Sequence, residues 1–169
     1  SGEIINGTIG TSNATIGGNP GNPYRSGYGV NSYSKSQMLI LASELTTLGF
    51  NAGKITNIGF TTTGVDATAV LSNFQIHMAN TALTALTATA ETNLGTNVFN
   101  QASFTAVLGL NTHTFQTPFV WDGTSNVLVT VCQQQTGPSV TVTVATFTTP
   151  AIANTQAVGA GINCNTTTA

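Results

Sequence analysis

Charge is nearly absent from this chain: 169 residues hold three Lys and Arg and five Asp and Glu side chains. An ordinary soluble domain carries charge at roughly a quarter of its positions. Surface helices draw their outer faces largely from Glu, Lys and Arg, so this chain has little from which to build them. The vacancy is filled by 32 Thr, 17 Asn and 18 Gly. Thr is β-branched and suits the half-buried face of a strand, while Asn and Gly suit turns. Hydrophobic residues at 40% and a mean hydropathy of +0.18 supply a core and set the chain apart from polar disordered sequences. The balance predicts an all-β fold.

The same scarcity excludes functions. Arg25, Lys35 and Lys54 are too few to meet a phosphate backbone, so no nucleic-acid partner is expected. The longest wholly apolar run, Met38-Leu39-Ile40-Leu41-Ala42, is far short of the roughly 20 residues that cross a bilayer as a helix, so no membrane span is expected. The length fits one domain. Ser1-Gly2-Glu3 has neither an initiator Met nor the pattern of a signal sequence, and the chain reads as processed or as a fragment.

Three stretches differ in character. Residues 1–34, rich in Gly, Asn, Ser and Thr with turn signals at Asn19-Pro20 and Asn22-Pro23, read as an irregular arm or edge strands. Residues 35–149 read as the sandwich core, and 150–169 as a polar tail. A short helical turn is expected near 43–49, capped by Ser43 and ended by Gly49. Strands are expected at 55–63, 74–79, 112–119, 127–133 and 140–148, where apolar and polar residues alternate. Residues 81–106 fit neither period and read as a crossover loop with short strand pieces. Strands separated by turns, without amphipathic helices between them, describe an antiparallel β-sandwich, jelly-roll or Ig-like.

Several strings carry a family likeness: Tyr33-Ser34-Lys35-Ser36-Gln37, Ala52-Gly53-Lys54-Ile55-Thr56-Asn57-Ile58-Gly59-Phe60, Asn73-Phe74-Gln75-Ile76, Asn111-Thr112-His113-Thr114-Phe115 and, most specific, Pro118-Phe119-Val120-Trp121-Asp122-Gly123-Thr124-Ser125-Asn126. Over roughly residues 24–164 the chain resembles a β-sandwich module of large Bacteroidetes surface and secreted proteins, found beside fibronectin-like and Ig-like repeats in cargo of type IX secretion. The resemblance implies an extracellular or cell-surface location and brings no catalytic residues with it. It also implies a closing strand after the second Cys that opens Arg-Pro-Asn. Here Asn165-Thr166-Thr167-Thr168-Ala169 stands instead, so that strand is expected from a longer chain or from another segment or subunit.

Cys132 and Cys164 are the two cysteines, and in an oxidising setting a disulfide pinning the tail is expected, with two free thiols as the alternative. His77 and His113 are read as surface histidines. Trp121 and Asp122 read as an edge anchor and a turn, with a sugar platform as the functional alternative; Tyr24, Tyr28 and Tyr33 join them as possible ligand or interface contacts. The five carboxylates are scattered one per segment and no Gly-x-Ser-x-Gly occurs, so neither paired-carboxylate nor Ser-nucleophile catalysis is expected, nor any cofactor or metal. Ile4, Ile5, Ile9 and Ile16 are apolar points by which the arm could add a strand to a partner.

The function expected is a non-catalytic extracellular structural or adhesive module, part of a surface adhesin or a self-assembling filament. Its expected partners are copies of itself or neighbouring domains of one long chain. A carbohydrate-binding accessory module of a secreted hydrolase, contacting surface glycans through Trp121 and the tyrosines, is the alternative.

Overall fold

The computed structural model describes residues 3–10, 12–16, 22–24, 32–87, 89–135, 142–147, 156–159 and 164. In chain order the elements are β1 (Ser12–Ile16), β2 (Ser32–Ile40), α1 (Ala42–Thr47), β3 (Gly53–Gly64), β4 (Val70–Thr81), β5 (Thr96–Thr105), β6 (Gly109–Trp121), β7 (Asn126–Gln135), β8 (Thr143–Phe147) and β9 (Gln156–Gly159). They form two antiparallel sheets, β1-β8-β3-β6 and β5-β4-β7-β2-β9. The pairings β1 with β8, β2 with β7, β3 with β6 and β4 with β5 describe one long hairpin folded at β4–β5 and rolled into two layers. That is the strand order of a jelly roll, and it decides between the two sandwiches the sequence allowed. β9 adds to the free edge of β2, pairing Tyr33 with Gly159 through Ser36 with Gln156.

The core follows from alternation. Phe74, Ile76 and Met78 of β4, Val127, Val129 and Val131 of β7, and Phe115, Phe119 and Trp121 of β6 lie between the sheets. Trp121, expected at the margin, is 1% exposed, and its indole N–H donates to the Ser125 carbonyl at 2.8 Å. A tryptophan can be this deep because its polar edge finds a partner at the strand's own turn.

The arm enters its own sandwich. Tyr24 is 0% exposed, with its ring 5.2 Å from Phe104 and 5.9 Å from Phe74. Asn22 donates to the Val142 carbonyl at 2.6 Å and accepts from the Tyr24 amide at 2.9 Å, which fixes the insertion. β1 completes the chain's own first sheet, with Ile16 opposite Val144. The tail supplies β9, and Cys132 of β7 is joined to Cys164 by a disulfide with Cα atoms 5.5 Å apart. Arm, central strands and tail therefore share sheets.

Helix α1 forms where expected but is capped differently. Leu41 occupies the N-cap position, and the Glu44 carboxylate accepts its backbone N–H at 2.8 Å. Ser43 lies inside the first turn, where its carbonyl accepts the hydroxyls of Thr46 and Thr47. Gly49, at φ +87°, ends the helix as expected.

Candidate functional site

The residues expected to contact ligand do not converge. Trp121 and Tyr24 are buried core rings with no face open to a sugar, because both lie on the inward side of the sandwich. Tyr33 is half-buried on β2, and Tyr28 lies outside the described residues. Asp122 is exposed, but its carboxylate accepts the amides of Thr124 and Ser125 at 2.8 and 2.7 Å and the Ser125 hydroxyl at 2.6 Å. The Ser125 hydroxyl and amide, with the Thr124 amide, hold its pKa down at about 2. The turn reading of Asp122 therefore accounts for its side chain. Of the arm residues, Ile4 is 87% exposed, Ile5 and Ile9 are half-buried, and Ile9 packs against the chain's own core. Nothing is described of the Ile16 side chain.

Both histidines depart from the surface reading. His113 is 2% exposed, stacked on Phe74 at 4.9 Å and hydrogen-bonded through Nε2 to the Tyr24 hydroxyl at 2.7 Å. It shares the parity of Phe115, Phe119 and Trp121 on β6, which sends it inward. Desolvation lowers its pKa to about 4 and raises that of Tyr24, so the pair is a neutral imidazole and a protonated phenol. His77 does point away from the core, yet it is half-buried and bonded to the Gln75 side chain at 3.1 Å. Burial, then the charge of Lys35, lowers its pKa. Among the described residues no three His, Cys, Asp or Glu side chains gather where they could hold a metal, and no helix is long and apolar enough to cross a membrane.

Two outer surfaces remain. On the first sheet, β3 and β6 expose Thr56, Asn57, Thr61 and Thr63 beside Thr112, Thr114 and Val120, with Lys54 at one end as the charged member of these strands. At the other end the β5–β6 turn exposes Val107 and Leu108, and the start of β6 exposes Leu110. The edges of β5 and β6 are tied together: the Gln116 carboxamide accepts the Asn100 N–H at 3.0 Å and donates to its carbonyl at 2.9 Å. With Pro118 next along β6, that side resists strand addition.

The outer face of the second sheet is covered by the crossover of residues 82–95. Leu86 packs with Leu39, Ala79 and Leu128, and Leu94 packs on the disulfide. Gln37 grips the backbone of Glu91 with both ends of its carboxamide, accepting the N–H at 2.8 Å and donating to the carbonyl at 3.0 Å. Lys35, 0% exposed, donates to the same carbonyl at 3.2 Å. Its burial lowers the ammonium pKa, and the Glu91 charge partly restores it. Asn126 holds the Leu83 carbonyl at 2.7 Å. Gly95, at φ +71°, lets the crossover rejoin the sheet where a β-carbon would collide with the Met78 carbonyl and Ala79.

No family model, curated protein or solved structure matches the chain. The site is thus defined by its own geometry. Between the crossover and the sheet lies a recess of about 370 Å³, with Ala79, Leu83 and Leu128 among its apolar lining and Asn80, Glu91 and Asn93 among its polar lining. Sequence reasoning missed it. A buried-looking run on β2 that nonetheless contains Lys35 and Gln37 was the available signal, since such side chains go inside only when something covers and pairs them.

Proposed function

We propose that this chain is a non-catalytic extracellular module with a structural or adhesive role, working by contact with copies of itself or with neighbouring domains of a longer chain. The observation that carries this reading is the outer face of β3 and β6, an array rich in Thr and Asn that holds Lys54 as its charged residue. Surfaces without charge have little long-range repulsion, so copies can approach closely through hydroxyls, amides and apolar points such as Val107, Leu108 and Leu110. The disulfide supports an oxidising, extracellular setting. The Bacteroidetes resemblance supports a surface adhesin or filament exported by type IX secretion.

The test is made on intact source cells. Protease added outside should remove the protein, and antibody labelling under the electron microscope should place it on the surface or in appendages. Protection of the whole pool until the cells are lysed would contradict the reading.

A further inference from the structure

We infer that the recess beneath the crossover of residues 82–95 binds a neutral, hydroxylated ligand, a sugar unit of a glycan chain. This rests on the extracellular, non-catalytic reading above and adds a glycan to the partners named there.

Chemistry at the rim sets the ligand class. The Glu91 carboxylate and the Asn93 carboxamide make no hydrogen bond among the described residues, whereas the Asn80 amide is fixed by the Val120 carbonyl at 3.0 Å. A carboxylate only accepts and a carboxamide both donates and accepts, the set needed by adjacent hydroxyls that must do both. An apolar ligand would bury these groups unpaired, at a cost. A strongly charged ligand fits no better. Glu91 is the ionisable residue of the lining, and the field of Lys35 beneath it opposes its charge. Leu128 and Ala79 are covered beneath the recess, so the apolar contact left for the C–H face of a sugar ring is Leu83, half-buried, with Ala82 exposed beside it.

Size and rigidity agree. About 370 Å³ lies at the small end of ligand sites, which run from roughly 300 to 1,000 Å³. A second concavity of about 520 Å³ shares Ala79, Asn80 and Asn93 with the first and continues past Thr96 to Pro118, giving a trough for neighbouring units of a chain. A 14-residue crossover with no helix or strand among its described residues is uncommon unless it has a task. Here a buried lysine and a buried glutamine hold it at Glu91, Asn126 holds it at Leu83, and the disulfide backs Leu94. The rim is therefore set before a ligand arrives, which spares the ordering cost of binding.

The test is amide NMR of the isotope-labelled, disulfide-intact chain, titrated with neutral oligosaccharides of glucose, xylose, mannose and N-acetylglucosamine. At least one should give saturable shifts centred on Asn80, Glu91 and Asn93. Asn93→Ala and Glu91→Gln should each weaken that binding about five-fold or more, while Thr46→Ala on α1, outside both the recess and the β3–β6 face, leaves it unchanged. No saturable shift with any sugar up to about 10 mM, shifts centred elsewhere, or full affinity in both recess variants would overturn the inference. The two readings fail differently. New reducing ends in the titration would defeat the non-catalytic proposal, whereas intact sugars, no shifts and retained self-association would defeat the recess alone.

Discussion

Burial of His113 against Phe74 makes the core sensitive to mild acid. Its pKa is about 4 in the folded chain and near 6.5 when unfolded, so the unfolded state takes up the proton first as pH falls. The stability this neutral histidine contributes is fully present above about pH 6.5 and is lost as pH falls towards 4, an effect of about 3 kcal/mol. His77, shifted in the same direction, adds to the loss in that window. Urea titrations from pH 7 to 4 should show the decline, and His113→Gln should flatten most of it. An unchanged slope in that variant would place the acid sensitivity elsewhere. Asp122 acts lower: its turn is stabilised above about pH 4 and loosens as pH falls towards 2.

At the scale of elements, the crossover depends on Gln37. Gln37→Leu leaves the Glu91 N–H and the Thr130 hydroxyl, now bonded to that carboxamide, without their partner. Hydrogen exchange at residues 89–94 should then rise by about ten-fold or more, and stability should fall by roughly 2–4 kcal/mol. Exchange at wild-type rates would mean that Lys35, Asn126 and the packing of Leu94 on the disulfide suffice to hold the loop. The tail gives a second prediction. Reducing Cys132–Cys164 should release β9 before the sandwich unfolds, because β9 is four residues long and pairs only with β2 among the described strands. Exchange should rise first at Tyr33–Ser36 of β2, and simultaneous loss of protection throughout would contradict this order. Element legibility follows from the same geometry. Strands β3 and β6 were readable because one face is buried and the other wet, β4 because its core-facing Phe74, Ile76 and Met78 alternate with less buried residues, and β7, buried on both faces, as an apolar run after a turn; the Val/Thr alternation around β8 was readable too. Strand β2 was not, since Ser34 and Ser36 face the core while Lys35 and Gln37 are buried on the opposite side, so polarity does not alternate. A register shift opposite Ile76 and His77 leaves Val98 and Phe99 of β5 both buried, which breaks the period of two. The recess was illegible for a related reason: it joins residues of β4, β7 and a loop that no local spacing connects.

For the whole molecule, the rolled hairpin concentrates stability in one core between the sheets. Phe115→Ala, in the middle of β6, should cost roughly 3–5 kcal/mol by denaturant titration, as large-to-small core changes do. A cost under about 1 kcal/mol would mean that the β6 interior is misread. Outside that core the molecule presents hydroxyls, amides and a few apolar residues, with Lys54, Glu3 and Asp122 among its exposed charges. Contacts between such surfaces draw on short-range hydrogen bonding and apolar burial, to which the Debye length is nearly irrelevant. Sedimentation velocity of the disulfide-intact chain over a concentration series in low and high salt tests most directly whether this nearly uncharged exterior is a contact surface. Reversible self-association at high micromolar protein that is unchanged or strengthened between about 0.05 and 1 M NaCl is the result predicted. A monomer at every concentration, or complexes that dissolve as salt is raised, would contradict it.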